Sequence, residues 1–522
     1  MEFLKIILIF IFCSFPWSSI QSDFETYIVH VESPENQIST QSSLMDLESY
    51  YLSFLPKNTS AISSSGNEEA ASMIYSYHNV MKGFAARLTA SQLKEMEKKQ
   101  GFISAQKQRI LSLHTTHTPS FLGLLQNMGV WKDSNYGKGV IIGVIDTGIF
   151  PDHPSFSDFG MPPRPAKWKG VCESNFTNKC NDKLIGARSY KLANGSPIDD
   201  TGHGTHIAGT AAGAFVKGAN VFGNAYGTAV GVAPLAHIAI YKVCNSDGCA
   251  EIDIIAAMDA AIDDGVDILS LCLGGRRKLP FHSDNIVLGA YSATERGIFV
   301  SCSAGNDGPF SGSVENTAPW ILTVGASTID RKIKATLKLG NREEFEGESA
   351  YHAKISNSTF FTLFDTAKNA SDEFETPYCK PGSLNDPAIR GKMVICLAGG
   401  GVPRIDKGKA VKDAGGVGMI IINSPDDGVT KSADAHVLPA IDVSAADGTK
   451  IVAYMNSTSN SVATITFQGT IIGDKNGPVV ASFSSRGPSE ASPGILKPDI
   501  IGPGVNILAA WPTSVDDNKN TK

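Results

Sequence analysis

The sequence predicts an α/β protein built on a mostly parallel sheet with helices on both faces, preceded by a small α+β unit and interrupted by an inserted module. Three observations predict it. Continuous apolar runs recur at Val140–Ile145, His237–Val243, Val266–Leu273, Ile298–Ser303 and Ile321–Val324, as strands buried on both faces require. Helical stretches alternate with these runs: Ala250–Asp264 carries Ile252, Ile255, Ala256 and Ile262 at helical spacing, and Asn285–Arg296 stops at Gly297, a fitting cap. From residue 335 to residue 470 the rhythm breaks into Ser-, Asp- and Asn-rich sequence, which reads as an inserted α/β or β-rich module.

The elements follow in order. Glu2 and Lys5 precede an apolar run from Ile6 to Phe15, and Ser18, Ser19 and Ser22 follow it. That run is too short to span a bilayer and reads as a signal peptide covering residues 1–22. No later stretch has ~18 consecutive apolar residues, so no helical membrane anchor is expected. Residues 26–113 read as one α+β unit of ferredoxin-like make-up. Its strands are Thr26–Val31, Met73–Tyr77, Gly83–Leu88 and Phe102–Ile110, and its charged amphipathic helix is Ala90–Gln100. His114–Pro119 is polar and has the look of a cleavable linker. Residues 115–334 hold the first part of the large domain. The insert contains strand-like Lys392–Leu397 and Gly418–Ile422, and residues 471–522 return to the texture of the large domain before a polar tail.

Composition narrows the function. The 522 residues carry a net charge of −7 with no basic stripe, which argues against a nucleic-acid partner. Cys13 lies in the signal segment, leaving eight cysteines. In an oxidising compartment Cys172/Cys180, Cys244/Cys249 and Cys379/Cys396 are candidate disulfides. Cys272 and Cys302 lie in apolar strand-like runs and read as buried free thiols. No pair of close cysteine pairs stands at zinc-ligand spacing, and no cofactor is implied. Sequons at Asn58, Asn175, Asn194, Asn357, Asn369 and Asn456 mark surface loops if the chain is secreted.

Three residues carry chemistry. Asp146 ends an apolar run, where parallel sheets bind ligands, and a carboxylate there orients a histidine and stabilises its charged form. Taken alone it reads rather as an Asp capping the Thr147-Gly148 turn. His203 sits in Asp200-Thr201-Gly202-His203-Gly204-Thr205-His206 before a run of small residues. That places it at a helix amino end, where the dipole disfavours imidazolium and keeps a general base neutral. A structural histidine is the plainer alternative, and a metal held by His203 and His206 a weaker one, since His-x-x-His aims the rings poorly. Asn306 follows a strand in Ser303-Ala304-Gly305-Asn306-Asp307-Gly308. Its amide there can reach a developing oxyanion, though taken alone a plain Asn-Asp-Gly turn is the favoured reading. Together the three fit an acyl-transfer site in the order Asp, His, oxyanion Asn.

At this point the chain resembles the plant-type subtilases of the subtilisin family. The matching stretches are GVIDTG at Gly143–Gly148, GHGTHIAG at Gly202–Gly209, SCSAGNDGP at Ser301–Pro309, SSRGP at Ser484–Pro488, and KPDIIGPGVNIL at Lys497–Leu508. The resemblance implies a secreted endopeptidase with an Asp/His/Ser triad acting on protein or peptide substrates in the apoplast or cell wall. It also implies that residues 26–113 are an inhibitory propeptide cut near His114/Thr115, and that residues 335–470 are a protease-associated insert. Leu269–Gly275 resembles the substrate-binding strand, so Ser270, Leu271, Leu273 and Gly274 become candidate substrate contacts. Cys272 stands where a Ser is more usual, and Gly502 where an Ala is more usual.

The family's Gly-Thr-Ser-Met nucleophile motif does not occur; none of the Gly-Thr pairs is followed by Ser. The resemblance places the serine beyond Lys522. Loss of that serine costs a subtilisin roughly six orders of magnitude in kcat, so these 522 residues alone are expected to be inactive. The competing expectation is a non-catalytic product acting as a binding or inhibitory module through its propeptide or insert. A metal hydrolase using Asp146, His203 and His206 ranks behind both.

Overall fold

The structure is a computed structural model that describes residues 24–32, 44–56, 61–62, 68–69, 71–77, 82–107, 117–193, 195–275, 279–351 and 359–513. The expected signal segment, the His114/Thr115 junction and the sequons Asn58, Asn194 and Asn357 lie outside the described residues. The chain divides into two compact units, Met1–Ser112 and Leu113–Lys522. Among the described residues no helix is long and apolar enough to cross a membrane.

The first unit runs β1 (Phe24–Val31), α1 (Leu44–Leu52), β2 (Ser72–Tyr77), β3 (Gly83–Thr89), α2 (Ala90–Met96) and β4 (Phe102–Lys107). Its sheet is antiparallel in the order β2-β3-β1-β4, the ferredoxin-like arrangement expected. Alternation puts Val29 and Val31 on one face with Phe84, Leu88, Met96 and Tyr51. Helix α2 starts where it does because Thr89 and Gln92 form a capping box: the Gln92 N–H donates to the Thr89 hydroxyl, and the Thr89 N–H donates to the Gln92 side chain.

The second unit is built on β5 (Ile141–Asp146), β6 (Leu184–Ser189), α3 (His203–Ala212), β7 (His237–Lys242), α4 (Glu251–Asp264), β8 (Ile268–Leu271), α5 (Asn285–Glu295), β9 (Phe299–Ser303) and β10 (Leu322–Ser327). Seven parallel strands lie in the order β18-β10-β9-β8-β5-β7-β6, where β18 is Ile500–Pro503. The apolar runs are continuous because both faces are covered. Ile141 and Ile145 of β5 pack on the α4 and α5 side, with Ala257, Met258 and Ala290. Ile142 and Val144 pack on the α3 side, with Ala208 and Ala212. Strand order reverses around β5: β7 and β6 lie to one side, β8, β9 and β10 to the other. Ligand sites in such sheets form outside the carboxyl ends at that reversal.

Between β10 and β18 the chain forms a closed seven-stranded barrel. Its strands are β11 (Arg331–Leu339), β12 (Glu344–Glu348), β13 (Phe361–Asp365), β14 (Met393–Leu397), β15 (Gly418–Ile422), β16 (Ala440–Val443) and β17 (Val462–Ile472), ordered β11-β12-β16-β15-β14-β13-β17. The first and last strands pair antiparallel and close it. Alternate residues of β14 serve two cores: Met393 and Ile395 face Leu337 and Ile441, while Val394 and Cys396 face Ala410 and Val411 of the helix Arg404–Asp413. The barrel runs from Arg331 to Ile472. All three expected cysteine pairs are disulfides. Asn175, Asn369 and Asn456 are exposed. Cys302 is a buried free thiol as expected, but Cys272 is only half-buried, because β8 ends at Leu271 and the chain turns outward.

Candidate active site

Asp146 is the last residue of β5 and has no exposed surface. Its Oδ1 accepts from the Thr147 N–H at 2.8 Å and lies 2.7 Å from His203 Nδ1. Its Oδ2 is buried without a hydrogen bond. His203 is the first residue of α3, and its side chain is 45% exposed. Nδ1 therefore faces the carboxylate, and Nε2 is the ring nitrogen left for other partners.

Asp199, which sequence reasoning passed over, sets this geometry. It is buried. Its carboxylate accepts from the N–H groups of Thr201, Gly202 and Thr205 and from the hydroxyls of Thr205 and Thr147. One side chain thus caps α3 in place of its N-cap residue, Gly202, and ties it to the residue after Asp146. Burial alone would raise the Asp199 pKa, but the hydrogen bonds from Thr205, Gly202 and Thr201 outweigh it, and the net shift is downward. The signal available was an Asp three residues before a glycine-capped helix; its partner Thr147, 52 residues away, was not. Gly202 holds φ +99°, a backbone state glycine adopts freely. At Gly204 a Cβ would sit 2.4 Å from the Gly148 carbonyl oxygen, so only glycine lets α3 close on the end of β5.

The helix-dipole expectation for His203 does not hold. The imidazole is pushed up to about 10, first by the hydrogen bond to Asp146, next by the thiol of Cys272, and against burial. A carboxylate at 2.7 Å outweighs half-charges spread over a helix end. His206 turns away: its Nε2 lies 3.0 Å from the Ile507 carbonyl, and its ring meets Trp511 edge-on.

Asn306 stands on the exposed turn after β9. The SSRGP stretch fixes that turn: the Ser485 N–H donates to the Gly305 carbonyl (3.0 Å), the Asp307 N–H to Ser485 Oγ (3.0 Å), and the Gly308 N–H to the Phe483 carbonyl (2.8 Å). A cavity of about 310 Å³ brings together His203, Cys272, Gly274, Ser303 and Asn306. A larger one of about 1030 Å³ adjoins it, sharing Cys272 and Gly274 and adding Leu273. Of the four expected substrate contacts, Leu273 and Gly274 line these cavities, whereas Ser270 lines neither. The Leu271 side chain belongs to the core between the sheet and α4, so it offers a peptide only its backbone. A base oriented by a buried carboxylate, with an amide across a cavity, is the arrangement acyl transfer uses.

The sequence comparisons agree with this geometry. The model of the subtilase family matches residues 137–522, and that of the peptidase inhibitor I9 family matches residues 26–114. The chain belongs to the subtilase family. It is 44% identical over 537 residues to subtilisin-like protease SBT1.2 of Arabidopsis thaliana, covering 98% of this chain and 68% of the relative. It is 44% identical to SBT1.4 of the same plant over 97% of this chain and 66% of the relative. For SBT1.6 the identity is 45%, over 86% of this chain and 61% of the relative. This subtilase chain thus spans about two thirds of the length of the curated relatives it matches. By membership it is a plant-type subtilisin-like serine protease carrying an I9-type pro-region.

Proposed function

We propose that this chain supplies two members of a serine endopeptidase triad and one oxyanion donor. In its neutral form His203 takes the nucleophile's proton, Asp146 orients its ring and stabilises the imidazolium formed, and the Asn306 amide meets the developing oxyanion. The nucleophile in this reading is a serine outside these 522 residues. The observation that carries the proposal is the 2.7 Å Asp146–His203 contact at the reversal point of a parallel sheet, across a cavity from Asn306. Leu273 and Gly274 side the substrate path, and the backbone of Ser270 and Leu271 serves as its strand.

The same reading assigns residues 1–22 to export, 26–113 to an intramolecular inhibitory propeptide, 335–470 to a protease-associated insert, and 115–334 with 471–522 to the catalytic domain. Three disulfides support passage through an oxidising compartment and hence an extracellular destination such as the apoplast. A transcript read past Lys522 tests the nucleophile assignment. Gly-Thr-Ser-Met in frame is the expected outcome, and an immediate stop codon refutes it. The 522-residue polypeptide should take no label from a fluorophosphonate probe; stoichiometric labelling that depends on His203 would overturn the assignment of the serine.

A further inference from the structure

We propose that Asn506 is a positioning residue for His203, an amide side chain through which the barrel sets the bed that α3 rests on. The inference rests on the reading of His203 as the general base. Helix α3 closes on the end of β5 at Gly204, and elsewhere it lies against the segment that follows β18. His206, three residues along α3 from His203, donates from Nε2 to the Ile507 carbonyl at 3.0 Å. Ala510 is buried with Ala208 and Ala212, and at Gly209 a Cβ would sit 2.9 Å from the Ala510 Cβ. At Gly202, just before His203, a Cβ would sit 2.5 Å from the Trp511 ring, and that ring meets His206 edge-on. Groups packed this closely have no slack, so a shift of this segment moves the helix end that aims His203 at Asp146. A misplacement of about 1 Å can cost on the order of a hundredfold in rate.

The barrel fixes the start of that segment. Arg331 donates to the Asn506 carbonyl at 2.6 Å. Asn506 Nδ2 donates to Glu348 Oε2 at 2.9 Å, and Asn506 Oδ1 accepts from the Ala433 N–H at 2.9 Å. The planar amide thus spans the end of β12 and the loop ahead of β16, and it holds the residue immediately before the Ile507 carbonyl. Its backbone stands at φ +55°, where asparagine is favoured over most residues that have a side chain. The position therefore suits a short side chain with one donor and one acceptor. The chain of contacts runs from Glu348 and Ala433 through Asn506 to Ile507, then to His206 and the helix of His203.

The test uses the intact chain at pH 8 and reads backbone amide exchange by deuterium uptake, with the downfield ring-proton resonance of the Asp146–His203 pair read by NMR. N506G keeps the backbone state and deletes both side-chain bonds. It should speed exchange in α3 at least about fivefold and shift or broaden the ring-proton resonance. Exchange in α4, on the opposite face of the sheet, should stay unchanged. N506D removes the donor and sets a second carboxylate against Glu348, so it should act in the same direction. E348Q alone should not speed α3. The double variant E348Q/N506D exchanges amide and carboxyl between the two positions, and it should bring α3 back to within about twofold of the unmutated chain. Unchanged α3 exchange in N506G, equal acceleration of α3 and α4, or a double variant no slower than N506D overturns the proposal. If N506D does not fold, N506G against the unmutated chain decides. None of these readouts needs the nucleophile, so a stop codon after Lys522 would refute the serine assignment and leave this coupling standing.

Discussion

Replacing Glu348 by Gln should make the second unit more stable at pH 8 and leave it unchanged at pH 4. Glu348 ends β12 and is 8% exposed. Its Oε2 accepts from Asn506 Nδ2 at 2.9 Å and from the Ile333 N–H at 3.3 Å, so it joins the barrel to the segment that follows β18. Burial pushes its carboxyl from 4.5 up to about 7, opposed by the Ile333 N–H and by Lys332 and Lys431. The folded chain therefore holds a proton that the unfolded chain releases between about 4.5 and 7. Stability from this group is fully present below 4.5 and is lost as pH rises, with the loss complete above about 7. A shift of that size corresponds to about 3 kcal/mol at 1.36 kcal/mol per unit. E348Q cannot ionise and keeps an acceptor for both N–H groups, so its advantage should grow from near zero to about 3 kcal/mol across the window. Urea denaturation at half-unit pH steps reads it directly. A difference that is flat with pH, or one that favours the carboxylate at pH 8, refutes the reasoning.

Other expectations follow from the same kind of argument. D199A should cost at least about 3 kcal/mol in urea denaturation, because it strands several buried donors at once. Since the Asp199 pKa is lowered in the fold, its contribution is present above the ordinary carboxylate range and fades as pH falls below it; unchanged stability in the variant would contradict this. G204A should cost about 1–3 kcal/mol by overpacking and weaken the His203–Asp146 hydrogen bond, read as loss of the downfield ring-proton resonance in NMR. An NMR titration should find the His203 pKa above the ordinary imidazole value, with D146N lowering it by more than C272S does; the reverse order would contradict the ranking of causes. Removing the Cys379–Cys396 disulfide, which closes a 17-residue separation, should cost about 3 kcal/mol, measured with both cysteines replaced by Ser.

The parallel sheet was legible because β5 and β7 carry continuous apolar runs, and both strands are buried at every position, as burial on both faces requires. Strand β6 was not read: its sequence Leu184-Ile185-Gly186-Ala187-Arg188-Ser189 is short in apolar residues because it is the sheet edge. The insert was legible only as a change of texture. Its long strand β11, Arg331–Leu339, alternates strictly between buried and half-buried residues, but charged Lys332, Lys334 and Lys338 on the outer face hide the pattern among polar neighbours. Asp146, His203 and Asn306 were found because each follows or begins an element with a recognisable boundary. Asp199 was missed because its role is to join two such boundaries. Cys272 was taken as core because the apolar run continues to Leu273 while the strand stops at Leu271.

The closing pair of the barrel has a consequence for folding order. Strand β10 ends at Ser327 and its sheet partner β18 begins at Ile500, so about 170 residues separate two neighbours in the sheet. Until β18 is made, β10 presents an unpaired edge. Pairing of Arg331 with Ile472 brings the two ends of the barrel side by side. Once the barrel has folded, the connection still to be closed is only about 30 flexible residues. Loop-closure entropy grows as (3/2)RT ln n, so early barrel formation reduces the cost of docking β18 by roughly 1.5 kcal/mol. The insert then acts as a clasp during synthesis: it shortens the distance along the chain that the sheet must bridge, and the edge of β10 is covered sooner than its position in the sequence implies.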